Sequence, residues 1–234
     1  NMGNIENKGI ELTINATPVQ LRDFSWQTTL TYTKNKNKVL KLSEGKSFVE
    51  DGKYLIEEGS PLGQWFGQKA LGIYATDEAN AYIKNSDGSF GDRLIPVYQR
   101  DPNNYNNYIY GSNGKPIFSH YETKGGQKYA GDVGQMTTAG SVSKGGDIIW
   151  DDLDHDGVIG DSDRRILGNG MPTWYMGWTN YLNYKNFSLS FSFYGSFGNK
   201  IYNKQRRDLL QNSSSNMTPL ARDCYRLWKY QGQI

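Results

Sequence analysis

Asp152, Asp154 and Asp156 stand at alternate positions in WDDLDHDGVIGDSDRR (residues 150–165), followed by Gly157 and, closing a twelve-residue span, Asp163. A hard cation of calcium's size takes oxygen ligands at the first, third, fifth and twelfth places of such a span, a turn-making glycine at the sixth and a main-chain carbonyl at the seventh. The candidate metal ligands are therefore Asp152, Asp154, Asp156, the carbonyl of Val158 and Asp163, and the ion is a structural Ca2+. Carboxylates this close repel one another when nothing lies between them. A second reading stands beside the first: an Asp-Gly turn that holds itself by side-chain to main-chain hydrogen bonds, with Arg164 and Arg165 offsetting part of the charge. The flanks GGDIIW and RRILGNG are not amphipathic helices, so this is no EF-hand, and aspartate at the twelfth place is too short for a tight sensor site.

Other chemistry is sparse. The acid pairs Glu57–Glu58 and Asp77–Glu78 are neighbours in sequence, whereas a glycosidase needs two carboxylates facing across a sugar. With His120 and His155 the only histidines, no Ser-His-Asp pattern stands out, and no enzymatic activity is expected. Aromatic rings beside Asn and Gln suit the faces of sugars, and Trp65 and Phe66 in GQWFGQ, with Tyr105, Tyr108 and Tyr110 in NNYNNYIYGSNG, are the candidate substrate platforms. The segment TPLARDCYRLWKY spaces Leu220, Cys224 and Leu227 at helical intervals, which predicts a short packing helix.

The elements that must carry these groups are unusual. Aromatic residues form 14% of the 234, led by 17 Tyr, yet mean hydropathy is −0.72, so polar loops and aromatic strands share the chain. A net charge of +2 gives no basic stripe for nucleic acid. One cysteine, Cys224, excludes an internal disulfide. No apolar run approaches the ~18 residues of a membrane helix, which leaves membrane strands open because alternation never shows as a run.

That alternation is present. Phe187, Leu189, Phe191 and Phe193 fall on one face of a strand and Ser188, Ser190 and Ser192 on the other. The preceding MGWTNYLNYKN alternates likewise, and the two meet at a tight link, which predicts an antiparallel hairpin. A second hairpin is predicted from GIELTINAT and DFSWQTTLTYT, with Phe24, Trp26 and Leu30 on the apolar face and a short link at residues 18–22. Strands of about ten residues, greasy on one face and small-polar on the other, match an outer-membrane barrel wall, with the apolar set facing lipid. A water-soluble sandwich shares the period of two, but a serine-lined face suits a watery lumen, and the long connection between the hairpins suits extracellular loops.

In sequence order the blocks NMGNIENKGIELTI, DFSWQTTLTYTKNKNKVLKL, EEGSPLGQWFG, LGIYATDE, GDIIWDDLDHDGVIGDSDRRILGNGMPTW and GWTNYLNYKNFSLSFSFYGSFGNKIYN resemble the C-terminal barrel half of the SusC/RagA family, the TonB-dependent outer-membrane importers of Bacteroidetes-type bacteria. The resemblance implies an all-β fold, mainly antiparallel, forming part of a transmembrane barrel of about 22 strands with long extracellular loops and short helical segments. It implies a barrel hairpin over 1–33, a mainly extracellular region over 34–171 holding the acidic loop, a second hairpin over 172–203 and an extracellular loop over 204–234. It also implies that this is a fragment without plug or TonB-contacting segment. The function implied is import of oligosaccharides or peptides across the bacterial outer membrane, with a SusD-like lipoprotein as lid and TonB acting through the plug, both short links then being periplasmic. The alternative is a secreted, calcium-stabilised β-module that binds glycans.

Overall fold

A computed structural model describes residues 3–43 and 45–205. The helix expected around Cys224, and nearly all of the 204–234 segment, lie outside the described residues. The chain divides into two compact units, one comprising the residues up to Gly67 with Ile166–Tyr202, the other Gln68–Arg165. Strands dominate both, and the sheets are almost wholly antiparallel, as the all-β reading expects.

In the first unit, four strands form one sheet: Gly3–Gln20, Phe24–Leu42, Trp174–Tyr184 and Phe187–Phe197, side by side in that order. β-branched and aromatic residues at every second place favour this extended backbone, and an unbroken ladder holds the register over the last three strands. The two hairpins are thus direct neighbours, Phe24 lying opposite Tyr184 and Tyr184 opposite Phe187. Both turns fall at the same end of the sheet, where the N–H of Lys185 donates to the carbonyl of Asp23 at 2.8 Å.

Two boundaries differ from expectation. The first link lies at residues 21–23 rather than 18–22, because Pro18 is absorbed into the strand at an irregularity where Thr17 and Pro18 face Gln27 alone; a bulge accommodates a residue that has no amide to donate. The first hairpin also does not stop at Thr33. Its ladder continues until Gly3 faces Leu42, giving strands of 18 and 19 residues, about 60 Å at about 3.3 Å per residue. The added half carries Lys34, Lys36 and Lys38 and pairs through its main chain, so polar side chains on both faces do not interrupt it.

A buried core cluster lies in the second unit, where Tyr74, Tyr82, Met136, Ile149 and Ile159 come together with Phe90 and Trp150 packed against them, while Val39 and Leu42 are buried in the first. Asn80, with no exposed surface, donates from Nδ2 to the carbonyls of Met136 (2.9 Å) and Ser143 (2.7 Å) and accepts from the N–H of Met136 (2.9 Å). An amide with its hydrogen bonds made in this way fixes two loops at once.

Candidate functional site

Three places could carry function: the faces of the four-stranded sheet, the acidic loop and an aromatic cavity. Across the sheet the register lines up Ile14, Leu30, Trp178 and Phe193 in one row, Trp26, Leu182 and Leu189 in another, and Phe24, Tyr184 and Phe187 at the turn end. The opposite face carries Asn15, Thr29, Thr179 and Ser192 in one row and Gln27, Tyr181 and Ser190 in the next. Hydrogen bonds knit this polar face, Thr29 Oγ1 to Asn15 Oδ1 at 2.7 Å and Thr179 with Ser192 at 2.9 Å.

No layer covers the apolar side among the described residues. Phe187, Leu189 and Phe193 are 78%, 60% and 59% exposed, Phe191 and Leu30 are exposed, and Phe24 and Trp26 are half-buried. A sandwich would have buried that row. Trp174 stacks on Phe197 at 3.9 Å at one end of the last two strands, and Tyr184 and Phe187 mark the other. The ten steps from Trp174 to Tyr184 span about 33 Å, or about 25 Å in height at a strand tilt of about 40°, the height of the apolar band on a membrane barrel.

Asn180 sits inside the apolar face, a feature that alternation alone did not flag. It is 1% exposed, and its Oδ1 accepts the indole N–H of Trp26 at 3.0 Å, while Trp178 donates to Thr28 Oγ1 at 2.8 Å. Both indole donors are therefore satisfied within the sheet, whereas the Nδ2 of Asn180 is buried without a hydrogen-bond partner.

In the acidic loop, ligand oxygens of Asp152, Asp154 and Asp156 lie within 4.8 Å of one another. Asp163 does not join them. It ends the 3-10 turn Asp161–Asp163 fully buried, and its carboxylate accepts the N–H groups of Leu153 (2.8 Å) and Gly160 (2.7 Å). The loop's own unpaired amides claim it. Val158 lies in a short parallel pairing opposite Thr137 and donates its N–H to Asp156 at 2.7 Å. Asp152 is buried and accepts from His155 (2.9 Å) and Gly157 (3.0 Å).

Burial raises the Asp152 carboxyl above the ordinary range, with Asp154 and Asp163 adding to the rise, whereas the Ser162 hydroxyl lowers Asp154. Self-bracing of the loop is therefore present, and the trio still offers the oxygen donors that suit a hard cation. The basic pair turns elsewhere, Arg165 to Asp151 and Arg164 to Asp161. Phe90 fastens the loop: its N–H donates to the carbonyl of His155 at 2.8 Å, and its ring lies where a Cβ on Gly134 or Gly157 would come within 2.5 Å.

The aromatic candidates divide between the two units. In the first, Trp65 packs against Tyr54 at 4.6 Å and Tyr202 at 5.8 Å and donates its indole N–H to the carbonyl of Lys200 at 2.8 Å; Phe66 lies beside it in the strand Gln64–Gln68. In the second, Tyr108 and Tyr110 line a cavity of about 560 Å³ with Leu94, Pro96, Tyr98 and Pro116. Tyr105 is 78% exposed; Arg100 lies 5.3 Å from its ring and 4.3 Å from that of Tyr108, donating to the Tyr108 hydroxyl at 3.0 Å. Burial pushes the Tyr98 phenol well up, and its hydroxyl bonds Thr76 and Glu78.

The acid pairs are occupied: Asp77 meets Lys115, Glu57 accepts from Ser60, and Glu58 accepts the N–H of Leu42. Ser119, His120 and Glu122 do form a hydrogen-bonded string at 3.0 and 3.2 Å, which the sequence reading passed over, but Ser119 is exposed and lines neither the cavity nor the acidic loop.

No family model matches the chain. Curated relatives do. TonB-dependent receptor P39 of Formosa agariphila is 36% identical over 217 residues, 92% of this chain and 19% of that protein. TonB-dependent receptor SusC of Bacteroides thetaiotaomicron is 26% identical over 215 residues, 92% of this chain and 16% of its own length. Among solved structures, the RagAB peptide transporter superposes with a TM-score of 0.51 at 14% identity, over 90% of this chain and 17% of that one. The chain spans about a fifth of the length of the curated relatives it matches. Its relatives are receptors and transporters rather than enzymes. Fold and homology together make the chain a TonB-dependent-receptor homologue. It is of the SusC/RagA type.

Proposed function

We propose that this chain is a length of barrel wall, with its extracellular loops, from an outer-membrane nutrient importer. The observation that carries the proposal is the single-layer sheet, bare and aromatic on one side, hydroxyl-lined on the other, with both short turns at one end. The apolar face meets lipid, the serine face lines the passage, and the turns at residues 21–23 and 185–186 are periplasmic. Among the extracellular loops, Tyr108 and Tyr110 contact an oligosaccharide or peptide substrate and Asp152, Asp154 and Asp156 hold a structural calcium ion. In the whole importer a SusD-like lipoprotein closes over the substrate and TonB supplies energy through a plug; the names of the relatives support dependence on TonB and a role in transport.

Cysteine scanning in the intact receptor tests it. Cysteine at Leu189 is expected to react with a membrane-partitioning maleimide and not with a charged one, and cysteine at Ser190 with the charged reagent. The reverse pattern, or equal labelling of both, overturns the wall assignment.

A further inference from the structure

We propose that the first hairpin, at the end away from its turn, seats one phosphate-bearing lipid of the outer leaflet, with the headgroup on Lys34, Lys36 and Lys38 and an acyl chain along Thr28, Leu30 and Trp178. The proposal rests on the wall reading and adds a particular partner to it. Even-numbered residues of the strand Phe24–Leu42 share one face, so the apolar row Phe24, Trp26, Leu30 and Tyr32 runs straight on into Lys34, Lys36 and Lys38. Lys34 stands level with Trp174, which stacks on Phe197 and lies 5.8 Å from the ring of Tyr32. Aromatic rings so placed mark the border of the hydrocarbon. At about 3.3 Å per residue and a tilt of about 40°, Lys36 and Lys38 stand about 5 and about 10 Å higher, in and just above a headgroup layer about 5–7 Å deep.

The chain does not neutralise this charge. Lys34, Lys36 and Lys38 are exposed and make no ion pair among the described residues. Lys8 on the neighbouring strand faces Lys36 directly, and like charges so opposed are destabilising. Glu6, the one acid on this face of the hairpin, is held by Lys8 at 2.8 Å. The other face of the same ribbon is covered: Asn37 accepts the N–H of Leu62 at 2.6 Å, and Val39 is buried. An anionic headgroup shared by the ammonium groups relieves their repulsion, as at other basic clusters beside a membrane.

Directly below the lysines, a groove of about 470 Å³ runs from Met176 past Leu30 and Trp178 to Trp26. Its floor is low because Ala16, Thr28 and Asn180 make one row of small side chains across the sheet. The hydroxyl in it, on Thr28, accepts from Trp178 at 2.8 Å and donates to the carbonyl of Thr179 at 3.4 Å, so the groove offers an acyl chain apolar contact and little else. Met176 is level with Tyr32, the row next beneath Lys34, and the groove therefore opens onto the lysines.

The experiment takes the intact receptor in detergent and measures bound lipid by native mass spectrometry. The probes are phosphatidic acid, phosphatidylcholine with the same acyl chains, and glycerol 3-phosphate. Phosphatidic acid is expected to bind about tenfold or more tightly than phosphatidylcholine, as several lysines at one anionic headgroup imply, and glycerol 3-phosphate at equal concentration should not displace it. Lys34→Gln, Lys36→Gln and Lys38→Gln together should erase the preference and leave phosphatidylcholine binding unchanged, whereas arginine at the same positions should keep it. Leu30→Trp, which fills the groove without touching the bond between Trp178 and Thr28, should weaken both lipids alike. Equal binding of the two lipids, or a combined glutamine variant that still tells them apart, overturns the proposal. So does full displacement by glycerol 3-phosphate, which makes the lysines a site for free phosphate, or a Leu30→Trp variant that binds both lipids as before. The cysteine labelling at Leu189 and Ser190 separates this failure from that of the wall: no headgroup preference with membrane-side labelling at Leu189 removes the lipid seat alone, and labelling of Leu189 by the charged reagent removes both.

Discussion

The indole N–H of Trp26 donates to Oδ1 of Asn180 at 3.0 Å, across the seam where the second wall strand meets the third. The bond joins residues that a long connection separates, and it lies on the face assigned to lipid. Asn180→Leu matches that face in polarity and removes the unpartnered Nδ2, but it orphans the indole donor of half-buried Trp26, and an unsatisfied donor of this kind costs about 1–3 kcal/mol at most. The expected result is a lower denaturant midpoint for the detergent-folded protein. Trp26→Phe with Asn180→Leu should lose less than the two single changes added together, and strict additivity would show that the bond contributes nothing.

Adjacent residues on the fourth strand should respond oppositely to charge. Phe191→Arg puts a guanidinium near the middle of the apolar band, where the cost is about 2–4 kcal/mol, whereas Ser190→Arg points into the passage. Folding yield into lipid vesicles should fall sharply for the first and little for the second. Similar yields for both would remove the distinction between the faces.

Phe90 and the two glycines flanking its ring make a third case. Gly134→Ala would drive a methyl to within 2.5 Å of the ring, and Gly157→Ala would add the strain of a β-carbon at φ +78°. Both are expected to loosen the acidic loop, read as faster cleavage by protease in the 150–165 region. Phe90→Ala should rescue Gly134→Ala, since it removes the obstacle, but should not fully rescue Gly157→Ala, whose backbone penalty remains. Failure of the first rescue would mean that the ring is not what occupies the space.

How much of this was legible in sequence depends on the range of the interaction. The two-faced strands were readable because Phe187, Leu189, Phe191 and Phe193 alternate with serines, and strand geometry converts that order directly into faces. The continuation of the first ribbon through Lys34, Lys36 and Lys38 was not, since its ladder depends on main-chain pairing with Lys8 and its neighbours and leaves no hydrophobic mark. The buried bond of Asn180 left no mark in the sequence, because its partner Trp26 is adjacent only after folding. The acidic loop was half legible: spacing brought out Asp152, Asp154 and Asp156, but whether Asp163 wraps an ion or braces amides is decided by the 3-10 turn that presents it.

The pH response of that loop separates its two readings. Burial lifts the Asp152 carboxyl above its unfolded value of 3.8, so the protonated acid favours the closed loop; that stabilisation is full below about pH 3.8 and disappears as pH rises through the raised value. Asp154, depressed by Ser162, works in the opposite sense but is fully exposed and contributes little through screening water. Without metal, protease protection of the 150–165 region should therefore fall as pH rises from about 3.8 through the raised value of Asp152. Asp152→Asn should flatten the slope, although it also gives up one of the two amide bonds made to His155 and Gly157. Millimolar calcium competes with the proton for the same oxygens, so its presence should reverse the slope, with protection rising with pH as the trio ionises. Asp154→Asn and Asp156→Asn together should abolish the calcium effect while leaving the bonds from Asp163 in place. A slope that calcium does not change would leave self-bracing as the whole account of the loop.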